Sequence, residues 1–177
     1  MNPENLFLIG YRCTGKSSVG RLLAATLDRS FIDTDSLVVS KSGMSIREIV
    51  DNRGWKAFRG LECSALQRVC TADRQVVATG GGIVLHTDNI KLMKKSGKII
   101  WLMASPETIK ARMVQDRDSV AFRPALTLTD SISEIEETLI ERVHLYKQAM
   151  DFSVDTDHRG VDEICDVIIG CLKVGFC

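Results

Sequence analysis

Eight residues near the start of the chain, Gly10-Tyr11-Arg12-Cys13-Thr14-Gly15-Lys16-Ser17, fit the pattern G-x-x-x-x-G-K-[ST] and constrain the fold more than any other stretch. Such a segment works only where a strand ends and a helix begins. Its glycines let the backbone wrap an anion, its successive N–H groups point inward, and the following helix turns its positive end to the same place. Both flanks comply. Residues 6–9 form a short apolar run, and residues 17–27 repeat apolar side chains at Val19, Leu22, Leu23 and Leu27, one face of a helix. In that setting Lys16 reaches the β- and γ-phosphates of a nucleoside triphosphate, and the Ser17 hydroxyl ligates Mg²⁺.

The rest of the chain repeats this alternation. Strands are predicted at 31–32, 75–78, 99–103 and 152–154. Helices are predicted at 45–52, opened by a capping-box pair Ser45 and Glu48, and at 55–70, 88–95, 106–114 with Pro106 in its first turn, 131–150 and 161–172. Strands alternating with helices build parallel β-α-β units covered on both faces. The expectation is a single α/β domain of three layers, with the charged, aperiodic stretch 115–127 as a mobile insertion. A chain of 177 residues suits one such domain.

Composition removes several classes of function. Lys plus Arg and Asp plus Glu balance at 23 each, so no net field draws the chain to nucleic acid or anionic lipid. Lys91, Lys94, Lys95 and Lys98 form a local basic run, three of them at helical spacing, which reads as a solvated helix face. The six cysteines show no Cys-x-x-Cys or Cys/His spacing, which argues against structural zinc and against a disulfide framework. No apolar stretch approaches the roughly 18 residues of a membrane span. A cytoplasmic protein with free thiols is expected, without a membrane or nucleic-acid partner.

A GTPase would carry a strand-linked Asp-x-x-Gly and an Asn-Lys-x-Asp base reader. Asp51-Asn52-Arg53-Gly54 fits the first by letters but follows a helical segment, and the second is absent. A motor or transport ATPase would end a strand in an acid, whereas the third strand ends in Thr79-Gly80-Gly81-Gly82. The acids at a strand end near the phosphate loop in sequence are Asp33 and Asp35, which favours a small-molecule kinase. Strand alternation would send both the same way, one to assist Mg²⁺ and the other to bind an acceptor hydroxyl; the competing reading is that Asp35 caps a helix over 36–40. Arg59 and Glu62, three apart on a helix, form either an exposed ion pair or a carboxylate-binding Arg oriented by an acid. Three successive glycines suit bare backbone approaching a ligand. Arg112, Arg117 and Arg123 lie in or beside the charged break, where cations could meet a moving phosphoryl group. No role is assigned to His86, His144 or His158.

Together these stretches resemble the shikimate kinase family from Leu6 to about Asp157. The resemblance rests on Phe7-Leu8-Ile9-Gly10 through Ser17, Phe31-Ile32-Asp33-Thr34-Asp35, Phe58-Arg59 with Glu62, and Val76-Val77-Ala78-Thr79-Gly80-Gly81-Gly82. Ser105-Pro106-Glu107, Arg123-Pro124, Arg142 with Tyr146, and Val154-Asp155-Thr156 extend it. It implies a five-stranded parallel sheet, a substrate-binding helical region at about 33–61 and a lid at about 113–127. It also implies transfer of the γ-phosphoryl of ATP to the 3-hydroxyl of shikimate, in the route to chorismate and the aromatic amino acids, by a monomer using Mg²⁺. ATP would meet Cys13, Thr14, Gly15, Lys16, Ser17, Ser18, Arg112 (stacked on adenine) and Arg123 (from the lid). Asp33 would support Mg²⁺ with Ser17. Asp35 would contact the accepting hydroxyl as the base, Arg59 and Arg142 would hold the carboxylate, and Gly81 and Gly82 would present backbone to the ring. The catalytic set implied is Asp35, Lys16 and Arg123. Cys13 departs from the family's usual glycine, and the length of 115–122 leaves Arg117 without an assignment. Gluconate is the competing acceptor, and a kinase-like regulatory protein without activity is the competing class.

Overall fold

The computed structural model describes residues 4–115 and 132–174. Five strands form one parallel sheet in the order β2-β3-β1-β4-β5: β1 (Asn5–Ile9), β2 (Ser30–Asp33), β3 (Gln75–Ala78), β4 (Gly97–Met103) and β5 (Phe152–Asp155). Side-chain alternation on the central strands divides the core in two. Leu6 and Leu8 of β1, with Ile100 and Leu102 of β4, face α1 (Lys16–Thr26) and the C-terminal helix α7 (Val161–Val174). Phe7 and Ile9, with Ile99 and Trp101, face the opposite layer of α3 (Ile46–Val69), α4 (Thr87–Ser96) and α6 (Ile132–Ala149). The expected three-layer α/β domain is therefore what forms. It places the phosphate loop at the end of the middle strand, where open parallel sheets bind ligands.

Two helices on the ligand side differ from the sequence reading. The predicted helices at 45–52 and 55–70 merge into α3, bent at Gly54, whose φ of 76° and ψ of 167° interrupt the helical run. The capping box is present: Ser45 Oγ accepts from the Glu48 N–H at 3.2 Å, and Glu48 Oε2 accepts from the Ser45 N–H at 2.7 Å. The second difference is α2 (Thr34–Ser42), a full helix starting directly at the end of β2. Asp33 caps it, its Oδ1 accepting from the N–H groups of Asp35 and Ser36 at 3.0 and 3.2 Å. Strand alternation thus does not govern Asp35, which sits in the first turn of α2, and Asp35 is not the cap. The Lys91, Lys94 and Lys95 side chains lie on the exposed face of α4, as a solvated helix face requires. A last helix, α5 (Pro106–Gln115), leads to residue 115.

Candidate active site

The phosphate loop owes its shape to three backbone positions with positive φ: Gly10 (141°), Cys13 (59°) and Gly15 (92°). A side chain at Gly10 would collide with the Leu102 carbonyl, so the loop can close over the end of β4 only with glycine there. Gly15 is the N-cap of α1 and offers no side-chain cap, which leaves the first N–H groups of the helix for an anion. Thr14 Oγ1 donates to the Tyr11 carbonyl at 2.8 Å and stiffens the loop. The buried Lys16 ammonium donates to the carbonyls of Gly10 and Tyr11 at 2.9 and 2.5 Å. Ser17 Oγ donates to Asp33 Oδ2 at 2.8 Å.

Two cavities flank this loop. Cys13, Thr14, Gly15 and Ser18 line the first, together with Arg112 and Arg159. The Arg112 guanidinium is held on three sides, donating to the Thr156 carbonyl at 2.7 Å, to Thr156 Oγ1 at 3.0 Å and to the Cys13 carbonyl at 3.3 Å. It thereby ties α5, the end of β5 and the phosphate loop together.

The second cavity lies on the other side. Asp35, Arg59, Glu62, Gly80 to Gly82 and Arg142 line it, with Arg12 reaching in from the phosphate loop and Trp55 at the rim. Arg59 stands 2.7 Å from Glu62 Oε2, and Glu62 is fully buried, so the pair is not the exposed one that spacing alone allows. The Arg59 guanidinium also packs 5.4 and 5.2 Å from the ring centroids of Trp55 and Phe58. Burial pushes the Glu62 carboxyl above its ordinary range, Arg59 pulls it back, and the negative Asp35 nearby raises it again. Among the described residues Glu62 Oε1 accepts no hydrogen bond.

Glycines make this cavity. A Cβ on Gly80 would collide with Glu62 and crowd Asp35, and one on Gly82 would collide with the Arg59 guanidinium. One on Gly81 would sit 3.3 Å from the Gly10 carbonyl oxygen, because this loop packs directly on the phosphate loop. The Gly80 N–H is held by Thr34 Oγ1 at 3.1 Å and Thr79 Oγ1 donates to the Leu8 carbonyl at 3.0 Å, which fixes the glycine loop to β1 and α2.

The sequence-derived residues thus fall into two groups. Cys13, Thr14, Gly15, Ser18 and Arg112 surround one cavity; Asp35, Arg59, Gly81, Gly82 and Arg142 surround the other; Lys16, Ser17 and Asp33 belong to the loop and strand ends beside them. Arg117, Arg123 and most of the expected lid at about 113–127 lie outside the described residues. Arg12, Trp55 and Arg159 escaped the sequence reading. Arg12 occupies a variable position of the motif, and the other two carry no local signal that sets them apart from surface residues.

A phosphate loop on the central parallel strand, joined to a second polar cavity holding two acids and three arginines, defines a small-molecule kinase of the P-loop class. Comparison with known proteins narrows this. The shikimate kinase family model matches residues 12–173. A shikimate kinase of Caldanaerobacter subterraneus is 39% identical over 166 residues, 94% of each chain. Shikimate kinase 2 of Photorhabdus laumondii is 43% identical over 141 residues, 80% of each chain. The structure of shikimate kinase from Acinetobacter baumannii in complex with shikimate superposes with a TM-score of 0.90 at 27% identity, covering 97% of this chain and 94% of that one. The chain belongs to the shikimate kinase family, whose members are ATP-dependent kinases.

Proposed function

We propose that this chain transfers the γ-phosphoryl group of ATP to the 3-hydroxyl of shikimate, giving shikimate 3-phosphate and ADP, with the two cavities as donor and acceptor sites. The observation that carries this is the contact of Gly81 with the phosphate loop, which brings both cavities to one place. In-line transfer needs donor and acceptor oxygens held close together, and most of the catalysis is positioning and charge stabilisation.

On the donor side the adenine lies against Arg112, and the phosphates lie on the N–H groups of residues 13–18, with Lys16 on the transferred group. Ser17 and Asp33 offer a hydroxyl and a carboxylate 2.8 Å apart, hard oxygen ligands suited to Mg²⁺ shared with phosphate oxygens. Bound there, the ion would neutralise charge on the β- and γ-phosphates. Arg123 would add a further cation from a lid at about 113–127.

On the acceptor side, helical residues at about 33–61 enclose a substrate with one carboxylate and several hydroxyls. Arg59, aimed by Glu62, and Arg142 hold the carboxylate. Gly81 and Gly82 present backbone to the ring hydroxyls. Asp35 accepts the proton of the attacking hydroxyl, and no covalent enzyme intermediate is needed. The reading further has the enzyme act as a cytoplasmic monomer with no partner beyond its substrates. Among the described residues no helix is long and apolar enough to cross a membrane.

The test is coupled ADP release with shikimate and gluconate offered separately. Turnover with shikimate, lost by about 10² or more in Asp35→Asn, supports the reading. Turnover with gluconate alone overturns the substrate, and an unaffected Asp35→Asn overturns the base.

A further inference from the structure

Two backbone donors in the proposed acceptor cavity find no acceptor among the described residues. Among the described residues, neither the Gly81 nor the Gly82 N–H makes a hydrogen bond, although both glycines line that cavity. Gly82 is buried and Gly81 half-buried, and backbone donors without a protein acceptor in a polar cavity are available to a ligand.

What aims them is visible one atom away. In a trans peptide the C=O of one residue and the N–H of the next point in opposite directions. The Gly80 carbonyl accepts from the Ile83 N–H at 3.1 Å, which turns the Gly81 N–H the other way. The Gly81 carbonyl accepts from the Tyr146 hydroxyl at 2.6 Å, which turns the Gly82 N–H away from α6. Arg142 reaches the same carbonyl only at 3.5 Å, too long to hold it. Tyr146 itself is tightly packed. It is fully buried, and its ring stacks on Trp101 with centroids 5.5 Å apart and planes 19° apart. Burial pushes its phenol up to about 12, so it remains a hydrogen-bond donor throughout the working pH range.

We infer that Tyr146 is a positioning residue for the acceptor. Through the Gly81 carbonyl it fixes the peptide whose N–H, on Gly82, meets a substrate hydroxyl. This rests on the proposed acceptor site and adds to it a residue that does not itself touch substrate.

Tyr146→Phe keeps the ring on Trp101 and removes only the hydroxyl. The loss of one net hydrogen bond that serves ground and transition state alike raises the KM for shikimate roughly fivefold to tenfold. The same loss leaves kcat within about twofold and the KM for ATP unchanged. A merely structural tyrosine would lower Tm and leave the two KM values in their original ratio, and that result overturns the inference. A second reading needs no turnover. In protein labelled with ¹⁵N-glycine, Tyr146→Phe should move and broaden the Gly81 and Gly82 amide signals while those of Gly43 and Gly170 stay in place. Unmoved Gly81 and Gly82 signals refute the positioning role. Moved signals in a parent enzyme that ignores shikimate uphold it and count instead against the substrate assignment.

Discussion

Gly80→Ala is the most economical probe of the proposed acceptor site. Gly80 does not have a left-handed φ, so alanine meets no backbone objection, and any effect comes from contact alone. The added Cβ lies 2.8 Å from Asp35 Oδ1 and collides with Glu62 Oε1. Carbon and oxygen rest no closer than roughly 3.3 Å, so the Asp35 carboxylate must retreat by about 0.5 Å and Glu62 by more. Glu62 is buried and bonded to Arg59, which obliges the guanidinium to move with it. On the proposed roles of Asp35 and Arg59, such displacements lower kcat/KM for shikimate roughly 10- to 100-fold. Overpacking costs roughly 1–3 kcal/mol, a Tm loss of about 2–10 °C. Steady-state kinetics with shikimate varied at saturating ATP, beside a thermal melt, read both effects. Gly60→Ala is the control: it lies on α3 with nothing within 4 Å of an added Cβ, so its Tm should rise and its kinetics hold. A Gly80→Ala enzyme with kcat/KM within about threefold of the parent would refute the contact argument.

Three further outcomes are expected. Glu62 has a carboxyl raised above its unfolded value of 4.5. Its contribution to stability is therefore fully present below that value and is lost as pH rises through the folded one. Melts from pH 4 upward should accordingly show Glu62→Gln gaining on the parent with rising pH, and a gap widening in the parent's favour would contradict it. Ser45→Ala removes half of the capping box on α3 and should lower Tm by roughly 2–4 °C with turnover unchanged, checked by a melt and a single assay. Asp33→Ala should raise the Mg²⁺ concentration needed for half-maximal rate by more than it raises the KM for ATP, as a magnesium titration would show.

The local signals in this chain were dependable. The run of Gln75–Ala78, the proline at the start of α5 and the Ser45–Glu48 pair each act over a few residues, and each appears where the sequence places it. What the sequence hides depends on distance in space. Asp33 and Asp35 look alike until β2 is seen to stop at Asp33, which becomes the cap and leaves Asp35 to the cavity. Arg59 and Glu62 at helical spacing carry no mark of burial; that comes from packing against Gly80 and Gly82, some twenty residues on. Tyr146 is one more core aromatic until its hydroxyl is seen on a glycine carbonyl 65 positions away. The donor half was legible because its motif is contiguous. The proposed acceptor half is assembled from four separate stretches, and only the resemblance to a family gathers them in the sequence.

The two oxygens of Asp33 are divided between neighbours: one receives the Ser17 hydroxyl from the start of α1, the other the first N–H groups of α2. One carboxylate is therefore the hinge pin between the helix that would carry the nucleotide and the helix that carries Asp35. The same carboxylate is thus bonded both to the start of α1 and to the first turn of α2. In the proposed reaction the side chain that would help hold the metal beside the nucleotide is also the cap of the helix that carries Asp35, so one residue is shared by both halves of the site.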